Sequence, residues 1–320
     1  MKRRDFIKTT AIIAPVMGMF PADLSGIDRK TLPGKIERRS LGRTGELLSM
    51  IGFGGIIVKD ETPEKASELV KLAIDSGINY FDVAPTYGDA EIKLGPALEP
   101  YRKGVFLACK TTRRNREESR KELEQSLKQL RTDYVDLYQF HAVTTLEDVE
   151  TIHGPGGAME TYLEARKEGK IRFIGFSAHS VEAAMAMMDR FDFDTILFPI
   201  NYTTWYAGNF GPQVLNRAHQ KGMGILALKA MAKAPLPKGT ENTKYPKCWY
   251  EPLSSQEDIL MGLRFTLSHP VTAALTPGEP ELFKIALNVS NSLKPLNDTE
   301  IQSIKEKALS GTPLFEYSGS

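Results

Sequence analysis

Cysteine is almost missing from this sequence: Cys109 and Cys248 are the only two in 320 residues. Two thiols cannot build a four-cysteine zinc or iron–sulfur site. They could close one disulfide in an oxidising compartment, and a pair of buried thiols is the expected state. An excess of one charge is missing too. With 41 Lys+Arg against 40 Asp+Glu, the net charge is +1, which leaves no broad field to attract nucleic acid or a membrane surface. No stretch reaches the ~20 apolar residues that a bilayer span requires. There is no internal repeat or low-complexity tract. Gly52-Phe53-Gly54-Gly55 lacks the spacing of the phosphate loop in an open, doubly wound sheet.

What is present begins with a basic start, Met1-Lys2-Arg3-Arg4-Asp5-Phe6-Ile7-Lys8, followed by a short apolar run from Thr9 to Phe20. These are the parts of an export signal. The arginine pair followed by Asp-Phe-Ile-Lys resembles the twin-arginine signal of bacteria, whose route carries folded proteins. The expectation is a signal over residues 1–30, cleaved near Ala22 to Ser25, the twin-arginine machinery as a partner, and a periplasmic or cell-envelope location.

Beyond the leader, strands and helices alternate. Strands are expected over Ser49–Ile57, Asn79–Ala84, Val105–Lys110, Val135–His141, Arg172–Phe176, Thr195–Ile200, Gly224–Leu228 and Thr272–Leu275. The helices between and after them are Pro63–Ser76, Glu91–Leu98, Arg116–Leu130, Pro155–Glu168, Val181–Asp189 with Ser180 as cap, Pro212–Gln220, Gln256–Ser268 and Glu279–Asn288. Parallel strands need crossovers of this length, and eight in succession close into a barrel. The predicted class is therefore α/β: a (β/α)8 TIM barrel over residues 31–320, with a C-terminal helical tail. Lys35–Leu48, centred on Arg43-Thr44-Gly45, reads as an N-terminal β-hairpin capping the barrel floor. The long Pro- and Lys-rich segment Ala232–Pro252 reads as a loop on the active face.

Barrel active sites form where strands end. Asp82 closes the second strand and Tyr87 follows it; Lys110 closes the third and His141 the fourth. Those types suit carbonyl reduction. Hydride arriving at carbon leaves charge on oxygen, which needs a proton. A phenol of pKa ~10 becomes a better acid beside an ammonium. Asp82 would hold the charge of a buried Lys110, and neutral His141 would orient the substrate oxygen. A hydrolase with paired carboxylates would need a second acid facing Asp82, and none is well placed.

Asp82-Val83-Ala84-Pro85-Thr86-Tyr87-Gly88, with Lys110 and His141 at the next two strand ends, resembles the aldo/keto reductase family. Leu41-Gly42-Arg43-Thr44-Gly45 leading to Ile51-Gly52-Phe53-Gly54 resembles its opening hairpin and first strand, and Gly175-Phe176-Ser177 its fifth-strand motif. The resemblance runs from Ile36 to the C-terminus. It implies an oxidoreductase that interconverts a carbonyl or sugar and an alcohol with NADP or NAD, retained tightly through export. Tyr87 would be its general acid/base, Asp82 and Lys110 the tuning pair, and His141 the orienter. By position, Gly54, Gly55 and Ser177 would touch the nicotinamide half, with His179, Asn201, Leu228 and Lys229 along the cofactor. Thr276, Pro277 and Gly278 would hold the adenosine phosphates. Ala178 stands where many members carry Asn. Phe198 falls where a Gln is frequent, with Asn201 as its substitute. Leu228 replaces a stacking Tyr. Glu279 and Glu281 stand where basic residues would meet a 2′-phosphate, and only Lys284 is near, which favours NAD. Trp205, Tyr206, Trp249 and Tyr250 are expected to offer stacking surface to a sugar ring. A nucleotide-binding module without turnover is the alternative on the same barrel.

Overall fold

A computed structural model describes residues 29–30 and 35–319. The export signal expected over residues 1–30 lies almost wholly outside the described residues. Strands β1 (Arg29–Lys30), β2 (Arg38–Ser40) and β3 (Leu47–Ser49) pair antiparallel. Eight parallel strands then close a barrel: β4 (Ile51–Gly54), β5 (Tyr80–Asp82), β6 (Phe106–Thr111), β7 (Val135–Val143), β8 (Ile171–Ala178), β9 (Thr195–Pro199), β10 (Gly224–Leu228) and, after a detour, β13 (Ala273–Leu275), which returns between β10 and β4. The detour is a two-stranded ribbon of β11 (Ala232–Pro235) and β12 (Tyr250–Pro252) inside the segment read as a loop.

The helices form where the sequence supplies caps. Thr62 accepts from Lys65 N to start α1 (Pro63–Asp75), and Asn115 from Glu118 N to start α3 (Arg116–Gln129). Between them lies α2 (Ala90–Leu98). Thr145 opens α4 (Leu146–His153), an element the periodicity missed, and α5 begins only at Ala158 (Ala158–Lys167). The expected single helix from Pro155 fails because Gly154, Gly156 and Gly157 make a turn there, with Gly156 at φ +72°. Ser180 caps α6 (Val181–Arg190) as expected. Short α7 (Tyr202–Tyr206) precedes α8 (Pro212–Gln220), α9 (Gln256–Leu267), α10 (Pro280–Val289) and a tail helix α11 (Asp298–Leu309), whose Asn297 and Glu300 form a reciprocal capping box. The expected first strand, Ser49–Ile57, divides into β3, β4 and a 3₁₀ turn at Gly55–Val58.

Successive residues of a strand face opposite ways, so the barrel wall sorts its own side chains. Phe106 and Ala108 on β6, Leu137 on β7, Leu197 on β9 and Leu226 on β10 fill the lower interior with Leu41 and Leu48 of the floor hairpin. Arg43 ties that hairpin down, donating to the carbonyls of Lys221 at 2.7 Å and Asp192 at 3.1 Å. The same inward rows end in Asp82, Lys110 and Gln139. The interior thus runs from apolar at the floor to charged at the C-terminal rim. Cys109, facing outward from β6, and Cys248 are both buried and outside any disulfide.

Candidate active site

Each member of the predicted quartet is delivered by a different stretch of backbone to one cavity of about 210 Å³, which all four line. Asp82 and Lys110 are fully buried and form an ion pair. Lys110 Nζ also donates to the Val83 carbonyl at 3.2 Å and lies 3.4 Å from the Tyr87 hydroxyl. The His141 ring stands at 88° to the Tyr87 ring, centroids 5.8 Å apart. The Thr86 hydroxyl sits 3.4 Å from His141 Nδ1.

Burial and charge act on these groups in opposite directions. Burial pulls the Lys110 ammonium down, but Asp82 and Tyr87 outweigh it, and its pKa ends well above the ordinary lysine range. Burial pushes the Tyr87 phenol up; Lys110 offsets this only in part, and Asp82 adds to the rise. The expectation of a phenol acidified below its ordinary value is therefore reversed: Tyr87 rests protonated. Burial, then the nearby Lys110, His179 and Arg114, depress His141 to about 2, so its ring is neutral.

Several supporting residues were not singled out from sequence. Gln139 Nε2 donates to Asp82 Oδ2 at 2.9 Å, and the Tyr80 hydroxyl reaches the same oxygen at 3.3 Å. Gln139 could have been found: it is the polar residue two before His141, hence on the same face of an otherwise apolar strand. Arg114 donates to the His141 and Ala142 carbonyls at 2.8 and 3.2 Å, and Ala142 N donates to Ser177 Oγ at 2.8 Å. These bonds hold a kink at Ala142, φ +53°, where the β7–β8 register shifts and His141 is presented. No sequence pattern signals that clasp.

Of the residues expected along the cofactor, Gly54, Ser177, His179, Leu228, Lys229, Thr276, Pro277 and Gly278 line the same cavity, joined by Ile56, Met231 and Lys247. Gly55 and Asn201 do not. Gly55 packs its α-carbon against the next strand; a Cβ there would come within 2.8 Å of Val83. Asn201 is occupied as the cap of α7, accepting from Thr204 N at 2.9 Å. Trp205 and Tyr206 are a correction to the expected stacking surface. They pack on Phe265 of α9, with Trp205 also 4.1 Å from His269, and do not reach the cavity; Trp249 and Tyr250 do.

Two straps cross the mouth. In the first, Lys247 Nζ donates to the Ile57 carbonyl and Glu61, both at 2.8 Å, while Lys247 N donates to Glu279 Oε1 at 2.7 Å. That segment therefore bridges the loops after β4 and β13. In the second, the C-terminal tail returns to the rim: Tyr317 N donates to Gly208 O at 2.8 Å. Phe315 then stacks on His179 at 5.3 Å and meets Trp249 edge-on at 6.1 Å.

A closed barrel of eight parallel strands alternating with helices defines the (β/α)8 class. The model of the aldo/keto reductase family matches residues 50–308, and the chain belongs to that family. It is 37% identical over 166 residues to the aldo-keto reductase YhdN of Bacillus subtilis, a match covering 46% of this chain and 48% of that protein. It is 29% identical over 236 residues to the L-galactose dehydrogenase of Arabidopsis thaliana, covering 68% of this chain and 70% of that one. Among solved structures, the holo form of aldo-keto reductase AKR11C1 from Bacillus halodurans superposes with a TM-score of 0.65 at 23% identity, covering 87% of this chain and 98% of that one, a likeness of fold.

Proposed function

We propose that this enzyme interconverts a carbonyl and an alcohol with NAD or NADP, and that Tyr87 passes the proton. The observation that carries this reading is the Tyr87 hydroxyl at 3.4 Å from the buried Lys110 ammonium, on the wall of a cavity shared with neutral His141. The cavity suits the reacting end of a dinucleotide and no more: about 210 Å³ is below the ~300 Å³ at which drug-sized pockets begin, so the remainder would lie across the rim. His179, which lines the cavity, keeps a buried Nε2 with no hydrogen-bond partner, and such a group calls for one. Gly54, Ser177, His179, Leu228, Lys229, Thr276, Pro277 and Gly278 would hold the dinucleotide, with Lys247 added.

When bound, the nicotinamide supplies or accepts the hydride. Tyr87 gives its proton to the substrate oxygen as charge develops there. Lys110 stabilises the resulting phenolate, and its own charge is held by Asp82, which Gln139 and Tyr80 orient. With the Thr86 hydroxyl donating to His141 Nδ1, His141 Nε2 carries the ring proton and donates to the substrate oxygen. Tyr87→Phe should reduce turnover by at least about a thousandfold, within the reach of general acid catalysis. The same variant should bind NADH as wild type does by fluorescence titration. Turnover near the wild-type rate would remove Tyr87 from the mechanism.

Sugars are the proposed substrate class. The exposed Trp249 and neighbouring Tyr250 on the cavity wall offer a ring-stacking face, and the name of the Arabidopsis relative, L-galactose dehydrogenase, supports a sugar. Export through the twin-arginine machinery to the periplasm is proposed from Arg3 and Arg4. Replacing both with Lys should leave the protein in the cytoplasmic fraction; unchanged fractionation would exclude that route.

A further inference from the structure

Glu91 is a buried acid that the chemistry of the cavity does not use. It lies in the first turn of α2, only 2% exposed, and its buried neighbours along the helix are Leu94, Ala97 and Leu98. A buried carboxyl costs free energy unless hydrogen bonds return it, and an apolar side chain would fill the same position without that cost. Among the described residues no lysine or arginine pairs with it. Its partner is the Cys109 thiol of β6, which donates to Glu91 Oε1 at 3.2 Å. Burial raises Glu91 above the usual carboxylate range. Burial, then Glu91, raises Cys109 well above the ordinary thiol range, so the thiol keeps the proton it donates. Neither residue lines the cavity.

The place of this bond gives it a purpose. Cys109 points outward from β6, while its neighbour Lys110 points inward, with its ammonium 3.4 Å from the Tyr87 hydroxyl. Ala90 N donates to the Tyr87 carbonyl at 3.2 Å, so the loop that bears Tyr87 is stitched to the turn that bears Glu91. The contacts close a ring: Tyr87 to the start of α2, Glu91 to Cys109 behind the strand, and Lys110 back to Tyr87. The other hold on this end of α2, Asp60 N donating to Asp89 Oδ1 at 2.8 Å, is exposed to solvent. Further along, α2 already lies hard against α3, since a Cβ on Gly95 would come within 2.2 Å of the Gln129 carbonyl oxygen. We propose that the Glu91–Cys109 bond is a positioning clasp, which sets from behind the strand how closely the Tyr87 hydroxyl approaches the Lys110 ammonium. Without it, the Tyr87 loop shifts with α2 while Asp82 keeps Lys110 in place.

The inference rests on the proposed function in that Tyr87 is the reacting group and Lys110 its partner. One of its readouts needs no turnover. Full-length protein labelled with 13C at tyrosine Cζ gives a resonance for Tyr87, assigned as the one missing from Tyr87→Phe. Glu91→Leu and Cys109→Ala break the bond; Glu91→Gln and Cys109→Ser keep an acceptor and a donor. Breaking the bond should displace the Tyr87 resonance. It should also lower kcat for reduction of 4-nitrobenzaldehyde by NADH about ten- to a hundredfold, as expected for a displacement of about 1 Å. KM and NADH affinity should stay near wild type, and the two conservative variants should restore both the resonance and kcat. The double variant Glu91→Leu/Cys109→Ala should lose no more than the worse single one, because each removes the same bond. A lowered thermal transition in the breaking variants, with resonance and kcat as in wild type, would reduce the bond to packing and overturn the clasp. Losses that multiply in the double variant would overturn it too. Where Glu91→Leu does not fold, Cys109→Ala, which only trims a side chain, carries the same comparison. Wild-type turnover in Tyr87→Phe would sink the proposed function, while the resonance would still test the clasp.

Discussion

At the scale of single residues, the site depends on how a buried carboxylate is held. Asp82 receives donors from Lys110, Gln139 and Tyr80, and each fixes the geometry from which Lys110 addresses Tyr87. Under the proposed mechanism Gln139 would act through Asp82, as a positioning residue. Gln139→Leu removes a bond to a buried charged group, worth ~1.5–3 kcal/mol, and the loss should appear in chemical denaturation. A structural role alone would stop there. A positioning role should also lower kcat with little change in KM and shift the alkaline limb of the reductive pH profile. That limb has a defined direction. Tyr87 is held above its ordinary value by burial, so it stays protonated through neutral pH, and reduction should decline only above pH ~10. An unaltered kcat and pH profile in Gln139→Leu would reduce its part to packing. The quartet itself was legible because four ionisable residues fall at the ends of three neighbouring strands. The net direction of the phenol's shift was not, because it depends on how much burial opposes the ammonium, a quantity that residue types do not carry.

At the scale of elements, strand and helix periodicities placed the barrel, and glycine and capping residues set the boundaries. The cap at Thr145 starts a helix that the periodicity missed, and the turn at Gly154–Gly157 delays the start of the expected next helix from Pro155 to Ala158. The segment between β10 and α9 was legible as a long active-face loop, but its contacts were not, since they join residues nearly two hundred positions apart. Those contacts bear on cofactor choice. Glu279, read from sequence as a free negative charge, accepts from Lys247 N, and Lys247's own charge is paired with Glu61. Lys247 beside Gly278 is thus taken up by Glu61 and is not free to meet a 2′-phosphate, and Glu279 and Glu281 follow Gly278 directly in the chain. NADH should bind more tightly than NADPH, by about fivefold or more at low ionic strength, the gap narrowing as salt is added. Tighter NADPH in the same titration would overturn this.

At the scale of the whole molecule, burial of neutral imidazoles links the fold to pH. Burial depresses His141 to about 2, His179 to about 4 and His269 to about 3, and lowers His153 as well. The unfolded chain takes up protons at these positions below pH ~6.5, while the folded chain does not. Stability is therefore full above that value and declines as pH falls towards 4, each such histidine adding up to ~1.4 kcal/mol per pH unit. Carboxylates whose pKa is lowered in the fold, such as Asp148 and Asp258, act only at more acid pH. Urea midpoints at pH 7, 6 and 5 should fall steadily; a flat series would mean that these rings titrate as they do in water.

The returning tail packs against two residues of the cavity lining. Because Phe315 braces His179 and Trp249 from outside, the last residues form part of the doorway wall. Removing the Phe315 ring would open that side of the entrance while leaving the contacts among Asp82, Lys110 and Tyr87 in place.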